Sequence, residues 1–179
     1  MRKIIEIYTD GSAGPTNPGP GGFGVVIVED DVLSGIYSEE FEQTTNNRME
    51  MQAILYAYKN YGVEQGFGVT YPIVYSDSSY CVNTFNDWIF GWRTRGWKKA
   101  NNQTPENMDL LLEFMELFDK GLRIDLRKIK GHAGHKYNEL ADKLAKREIV
   151  FHCDIGHDNI RIKQHDVKSV QIKVKEEEE

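Results

Sequence analysis

Ile4-Ile5-Glu6-Ile7-Tyr8-Thr9-Asp10-Gly11 is a β-branched and aromatic run that stops on a carboxylate, and Tyr71-Pro72-Ile73-Val74-Tyr75-Ser76-Asp77 repeats the pattern. Both read as strands ending in an aspartate. Outward from the first, Phe23 to Val28 and Leu33 to Phe41 are two more strands, joined by Glu29-Asp30-Asp31, a link short enough for an antiparallel hairpin. Thr44-Thr45-Asn46-Asn47 offers helix-capping side chains ahead of a helical period over Arg48 to Tyr61. Past the Ile73–Ser76 strand the chain alternates: a helix over Ser78 to Phe90, and a helix opened by Thr104 as cap with Pro105 in its first turn, running to about Lys120. A strand at Ile124 to Ile129, a loop at Gly131 to Tyr137 and a helix over Asn138 to Ile149 follow. Three strands followed by helices alternating with two more predict an α/β fold. Its core is one five-stranded mixed sheet, three strands antiparallel and two parallel, flanked by helices.

Four carboxylates stand apart from the solvated acids. Asp10 and Asp77 lie at strand ends, where open sheets of this kind bind ligands. Glu50 precedes Ala53, Ile54 and Ala57 on an apolar helix face, and Asp142 lies between Leu140-Ala141 and Leu144-Ala145. A carboxylate in such a place costs several kcal/mol unless it is paired, protonated or bound to a metal. Singly, each is more often a turn or a cap. Together they predict one cation site. Oxygen ligands suit Mg²⁺ or Mn²⁺, and two such ions about 3.5–4 Å apart can activate water and stabilise a leaving oxygen in phosphodiester cleavage. Zinc would want Cys or a further His. Cys81 and Cys153 have no CxxC partner and read as reduced thiols.

With 179 residues and 40% apolar content the chain fits an ordinary globular fold; a net charge of −6 disfavours a polyanion ligand only on average. Base concentrates at Arg93, Arg95, Lys98 and Lys99, interleaved with Trp88, Trp92 and Trp97, and again across Arg123 to Lys136. That mixture suits nucleic acid, although the tryptophans read equally as core and the charges as a solvated helix face. His132 and His135 sit in a glycine-flanked loop ahead of Asp142, where a mobile histidine could move a proton. The turn-forming run from Gly11 to Gly22 lacks both the P-loop ending and GxGxxG, so it is no nucleotide cradle. Met1 to Glu6 lacks a signal-peptide apolar region and no segment is apolar enough to span a membrane, so a cytoplasmic location is expected. Residues 151–179 carry weaker alternation, with room for one or two short strands, and an acidic end; they read as an extension to a domain over 1–150.

Taken in order, Tyr8-Thr9-Asp10-Gly11-Ser12, Asn17-Pro18-Gly19-Pro20-Gly21-Gly22, Thr44 to Glu50, Ser76-Asp77-Ser78, Gly96-Trp97-Lys98 and Lys130 to His135 through Asn138 to Asp142 resemble type 1 ribonuclease H over roughly residues 3 to 148. The resemblance implies hydrolysis of the RNA strand of RNA–DNA hybrids, leaving 5′-phosphate and 3′-hydroxyl ends. It makes Asp10, Glu50, Asp77 and Asp142 ligands of two Mg²⁺ or Mn²⁺ ions and His132 a mobile helper in proton transfer or product release. It places Asn17, Thr45 and Asn46, with Asn47 beside them, against the hybrid, and Trp88, Arg93, Arg95, Trp97, Lys98 and Lys99 on a basic protrusion that grips the DNA strand. Three departures stand out: a residue inserted between Ser12 and Asn17, Ser79 where glutamine is common, and Asn101-Asn102-Gln103 where several members carry lysines. The last predicts a weak electrostatic grip and a shallow salt slope. A strand-transferase of related fold would need a DNA-targeting domain for which there is no room. A non-catalytic hybrid-binding module would not need all four carboxylates. A monomer is expected.

Overall fold

The computed structural model describes residues 3–148 in full and the strands at 152–155, 158–166 and 169–174 as backbone. Three long strands come first: β1 (Ile5–Ala13), β2 (Gly19–Glu29) and β3 (Val32–Thr44), paired antiparallel in sequence order. After α1 (Asn46–Tyr61) and a two-residue β4 (Val63–Glu64), β5 (Ile73–Ser76) pairs parallel to β1, and β7 (Asp125–Lys128) parallel to β5. The spatial order β3-β2-β1-β5-β7 is the expected five-stranded mixed sheet. The short β6 (Leu122–Arg123) pairs with β4 in a separate ribbon.

The centre of the sheet explains the run Val25-Val26-Ile27-Val28. Val25 and Ile27 face α1 and α4 (Met108–Asp119), while Val26 and Val28 face α5 (Lys136–Ala145), so both sides of β2 are buried. On the first side Ile54, Tyr58, Phe85, Leu111 and Phe114 fill the layer, Phe85 stacking on Phe114 at 4.5 Å between ring centres. On the second, Leu140 and Leu144 close over Tyr8, Leu33 and Ile36. Each such aliphatic side chain removed from water contributes about 1.5–3 kcal/mol. Among the described residues no helix is long and apolar enough to cross a membrane.

Several boundaries differ from the sequence reading. The run from Gly11 to Gly22 is a turn only over residues 14–18, because Gly11, Ser12 and Ala13 continue β1 against Phe23, Gly22 and Gly21. The Ser78–Phe90 helix is three pieces: α2 (Ser79–Asn83), one wide π-turn (Thr84–Trp88) and α3 (Ile89–Thr94). Neither Thr104 nor Pro105 opens α4. Its start is set by Asn107, held in a left-handed conformation at φ 58° with its Oδ1 accepting a hydrogen bond from Arg48 Nη1 at 3.1 Å. The last helix begins two residues early, at Lys136, and stops at Ala145. Arg147 turns left-handed there (φ 62°), and the Arg147 and Glu148 amides close back on the Leu144 and Lys143 carbonyls, a Schellman ending.

Beyond residue 150 the backbone forms three strands, β8 (His152–Ile155), β9 (Asp158–Asp166) and β10 (Ser169–Val174), where one or two were expected. β10 pairs antiparallel with β3 and carries β9 and β8 outward, lengthening the sheet to eight strands. The acidic residues Glu176 to Glu179 lie outside the described residues.

Candidate active site

The parallel pairing of β1 with β5 ends at Thr9 opposite Ser76. Asp10 and Asp77 are the next residues on each strand, so the sheet parts where they stand. Asp10 does not end its strand, as the sequence suggested. It stays paired with Gly24 of β2 on one side while its other edge lies free of β5. The strand thereby holds the carboxylate rigidly at the mouth of the opening.

Two close approaches bring the helices to it. Glu50 lies in the first turns of α1, and a Cβ on Gly11 would overlap the Glu50 amide nitrogen. Only glycine lets the helix backbone lie against the strand there. On the other face a Cβ on Gly24 would overlap the Ala141 carbonyl and the Leu144 side chain, so α5 seats directly on β2 and carries Asp142 to the same opening. Asp10, Glu50 and Asp77 each offer a carboxylate oxygen, all within 4.8 Å of one another. Asp142 neighbours Asp10 and helps to raise its carboxyl, but its Oδ2 accepts from Lys146 Nζ at 3.0 Å, a contact the sequence reading passed over. The i,i+4 spacing of Asp142 and Lys146 was the available signal.

Burial dominates the electrostatics. It pushes the Asp10 carboxyl up to about 7, with the charge of Asp77 adding to the effect and a hydrogen bond with Glu50 opposing it. The Glu50 carboxyl is also pushed well above the usual range, by burial first and then by the charge of Asp10. Its Oε2 is buried without a hydrogen-bond partner. An orphaned buried carboxylate oxygen among all-oxygen donors fits a hard divalent cation, which would restore the ionised forms.

His132 lies exposed in the loop between β7 and α5, at φ 53°. Its neighbour Gly131 abuts Asp77, since a Cβ there would lie 2.7 Å from Asp77 Oδ2. No hydrogen bond among the described residues ties His132 to the carboxylates. His135 is engaged elsewhere, stacked on Tyr8 at 4.8 Å with Nε2 3.4 Å from the Tyr8 hydroxyl, so the two histidines are not a metal pair.

Beside the opening, the turn at 14–18 is stitched to the start of α1. Asn17 Oδ1 accepts from the Asn46 amide at 3.2 Å, and Asn46 Oδ1 accepts from the Ala13 amide at 2.6 Å. Thr45 caps α1 through Oγ1, and Asn47 stands exposed next to it. Arg48 then reaches Asp109 through two bonds of 3.0 and 2.8 Å. The sequence reading missed this tie between the start of α1 and α4, which has no local signature.

The aromatic-basic segment separates into two hollows. Trp88, 39% exposed, lines a groove of about 410 Å³ with Trp92, Arg95, Lys99 and Asn101. Arg93 and Trp97 line a second hollow of about 470 Å³ against α4, and Arg93 is held by Asp119 through bonds of 2.8 and 2.9 Å. Lys98 Nζ donates to Thr104 Oγ1 at 3.2 Å. Trp92 is core, whereas Trp88 is not.

Comparison with known proteins follows the same segments. The RNase H family model matches residues 2–150. The ribonuclease H of Caldanaerobacter subterraneus subsp. tengcongensis is 40% identical over 151 residues, covering 84% of this chain and 94% of that one. The ribonuclease H of Mannheimia succiniciproducens is 41% identical over 147 residues, covering 82% and 88%. Among solved structures, LC9-RNase H1, a type 1 RNase H with the type 2 active-site motif, superposes with a TM-score of 0.65 at 28% identity, covering 80% of this chain and 71% of that one. LC11-RNase H1 in complex with RNA/DNA hybrid gives 0.58 at 26%, covering 80% and 94%. A match spanning Asp10, Asp77 and both flanking helices leaves one conclusion: the chain belongs to the ribonuclease H family of enzymes.

Proposed function

We propose that the protein hydrolyses the RNA strand of RNA–DNA hybrids with two Mg²⁺ ions, or Mn²⁺ in their place, leaving 5′-phosphate and 3′-hydroxyl ends. The observation that carries this reading is the gathering of Asp10, Glu50 and Asp77 within 4.8 Å, with one buried oxygen of Glu50 unpartnered. When bound, the metals supply water activation and neutralise charge at the leaving oxygen. The chain's own residues do the rest. Asp10, Glu50, Asp77 and Asp142 would hold the ions between them, Asp10 and Asp77 as the central pair and Glu50 and Asp142 as the flanking ligands. The rigid strand at Asp10 and the close seating of α1 and α5 fix those oxygens before substrate arrives, so no reorganisation is needed during reaction. His132, on its exposed loop, takes or gives the proton at the water or the leaving oxygen.

Recognition lies beside the chemistry. Asn17, Thr45, Asn46 and Asn47 form a polar ledge next to the carboxylates, suited to ribose hydroxyls and the minor groove of a hybrid; the 2′-hydroxyl marks the strand to cut. Trp88, Arg95 and Lys99 offer an aromatic face and two charges to a second backbone. Arg93, Trp97 and Lys98 support the shape of that segment. We further infer that residues 1–150 form the catalytic domain, that the enzyme acts as a monomer, and that it works in the cytoplasm, where the buried Cys81 thiol stays reduced.

The test is cleavage of matched RNA–DNA hybrid, duplex RNA and duplex DNA, with Mg²⁺ and with EDTA. Cleavage of the hybrid's RNA strand alone, and only with metal, is the expected result. Binding without cleavage would make the protein a hybrid-binding module, and cleavage of duplex DNA would remove the substrate assignment.

A further inference from the structure

The four carboxylates are not equivalent. Among the described hydrogen bonds and ion pairs, Asp10, Glu50 and Asp77 have no cationic partner, whereas Asp142 has one, Lys146 at 3.0 Å. Lys146 is placed there by the helix. It caps α5 one turn after Asp142, and its own amide donates to the Asp142 carbonyl at 3.0 Å. The left-handed turn at Arg147 fixes the helix end, and the Arg147 guanidinium points away to the Gly14 carbonyl at 3.4 Å. Lys146 is therefore the cation that reaches the site.

We propose that Lys146 is a built-in counter-cation for Asp142, and that a divalent ion on the Asp142 side must displace its ammonium. This inference rests on the reading of the carboxylates as a divalent-cation site. Asp10, Glu50 and Asp77 take an ion without displacing a side-chain cation. Loading on the Asp142 side breaks a charge-assisted hydrogen bond first and is the weaker step. Lysine suits the exchange: it brings a point charge on a flexible stem, and with 41% of its side chain exposed it has solvent to swing into. When the ion leaves, the ammonium returns and limits the repulsion among the four acids.

The experiment is calorimetric titration with Mg²⁺ alone, without nucleic acid, checked by melting temperature against Mg²⁺ concentration. It compares the wild type with Lys146→Met, Lys143→Met, Asp142→Asn and the Asp142→Asn/Lys146→Met double variant. A half-exposed ion pair has a modest worth, so Lys146→Met is expected to tighten Mg²⁺ binding about two- to fivefold. Lys143→Met removes the same charge from the same helix without touching Asp142, and should change binding by less than about 1.5-fold because exposed charges are screened. The gain from Lys146→Met should vanish in the Asp142→Asn background. Equal gains from Lys143→Met and Lys146→Met, a gain that persists without Asp142, or no gain at all would overturn the proposal while leaving hybrid cleavage by the wild type intact. A wild type that neither binds Mg²⁺ nor cleaves hybrid would instead remove the cation-site reading and this inference together.

Discussion

A methyl group on Gly11 would occupy the space of the Glu50 amide nitrogen and the Met49 carbonyl carbon, both backbone, which cannot step aside. Gly11→Ala should therefore cost about 1–3 kcal/mol of stability, or roughly 2–12 °C in melting temperature, and lower hybrid cleavage by shifting Glu50. Gly14→Ala is the matched control, since a Cβ there meets nothing within 4 Å. Melting curves and initial rates for the two variants decide the point, and equal behaviour would contradict the account. Asp10 makes a second prediction at this scale. Its folded carboxyl is raised to about 7, above its unfolded value, so the folded state holds the extra proton and the metal-free protein loses stability as pH rises from about 4 to 7. The stability difference between wild type and Asp10→Asn, measured by urea unfolding in EDTA, should move against the wild type across that window. Mg²⁺ should reverse the trend. Asp10 and Asp77 were legible because each ends a recognisable strand signal. Lys146 was legible only as an i,i+4 neighbour of Asp142, because such a pair on a helix surface is ordinary until the fold shows that its acid belongs to the site.

The segment around α3 joins two elements that sequence alone could not separate. Trp88 and Trp92 are four residues apart and line the same groove, yet Trp88 is 39% exposed while Trp92 is buried against the core. Arg93 looked like a phosphate ligand, but Asp119, 26 residues away, already holds it with two bonds. If Arg95 and Lys99 contact the hybrid backbone, Arg95→Ala and Lys99→Ala should each flatten the dependence of log Kd on log salt by about 0.7–0.9, one phosphate contact's worth. Arg93→Ala should change the slope by less than half as much. A salt titration of hybrid binding gives all three slopes, and the largest loss at Arg93 would contradict the assignment. The start of α4 was misread for a related reason. Thr104-Pro105 is a proper helix-opening signal, but Arg48 bonds Asn107 and Asp109 from another element and fixes the first turn later. β4 and β6, two residues each, are too short to carry any period.

At the scale of the molecule, the order of strands was readable because β2, covered on both faces, is apolar throughout, and because the chain changes from hairpins to alternating helices at residue 46. The lengthening of the sheet by β8, β9 and β10 was less so, since weak alternation marks a strand without naming its neighbour. Those strands add to β3, two strands away from the edge of β1 where the carboxylates gather. Deleting residues 151–179 should keep kcat/KM on hybrid within about twofold, as expected for a change remote from the site. It would also uncover the β3 edge and increase self-association, which light scattering would register. The central claim is that one cluster of carboxylates performs the cleavage while separate residues hold the hybrid. Paired measurement of cleavage rate and hybrid Kd for Asp10→Asn tests it most directly: the account predicts cleavage lost with Kd little changed, and turnover that survives the substitution would contradict it.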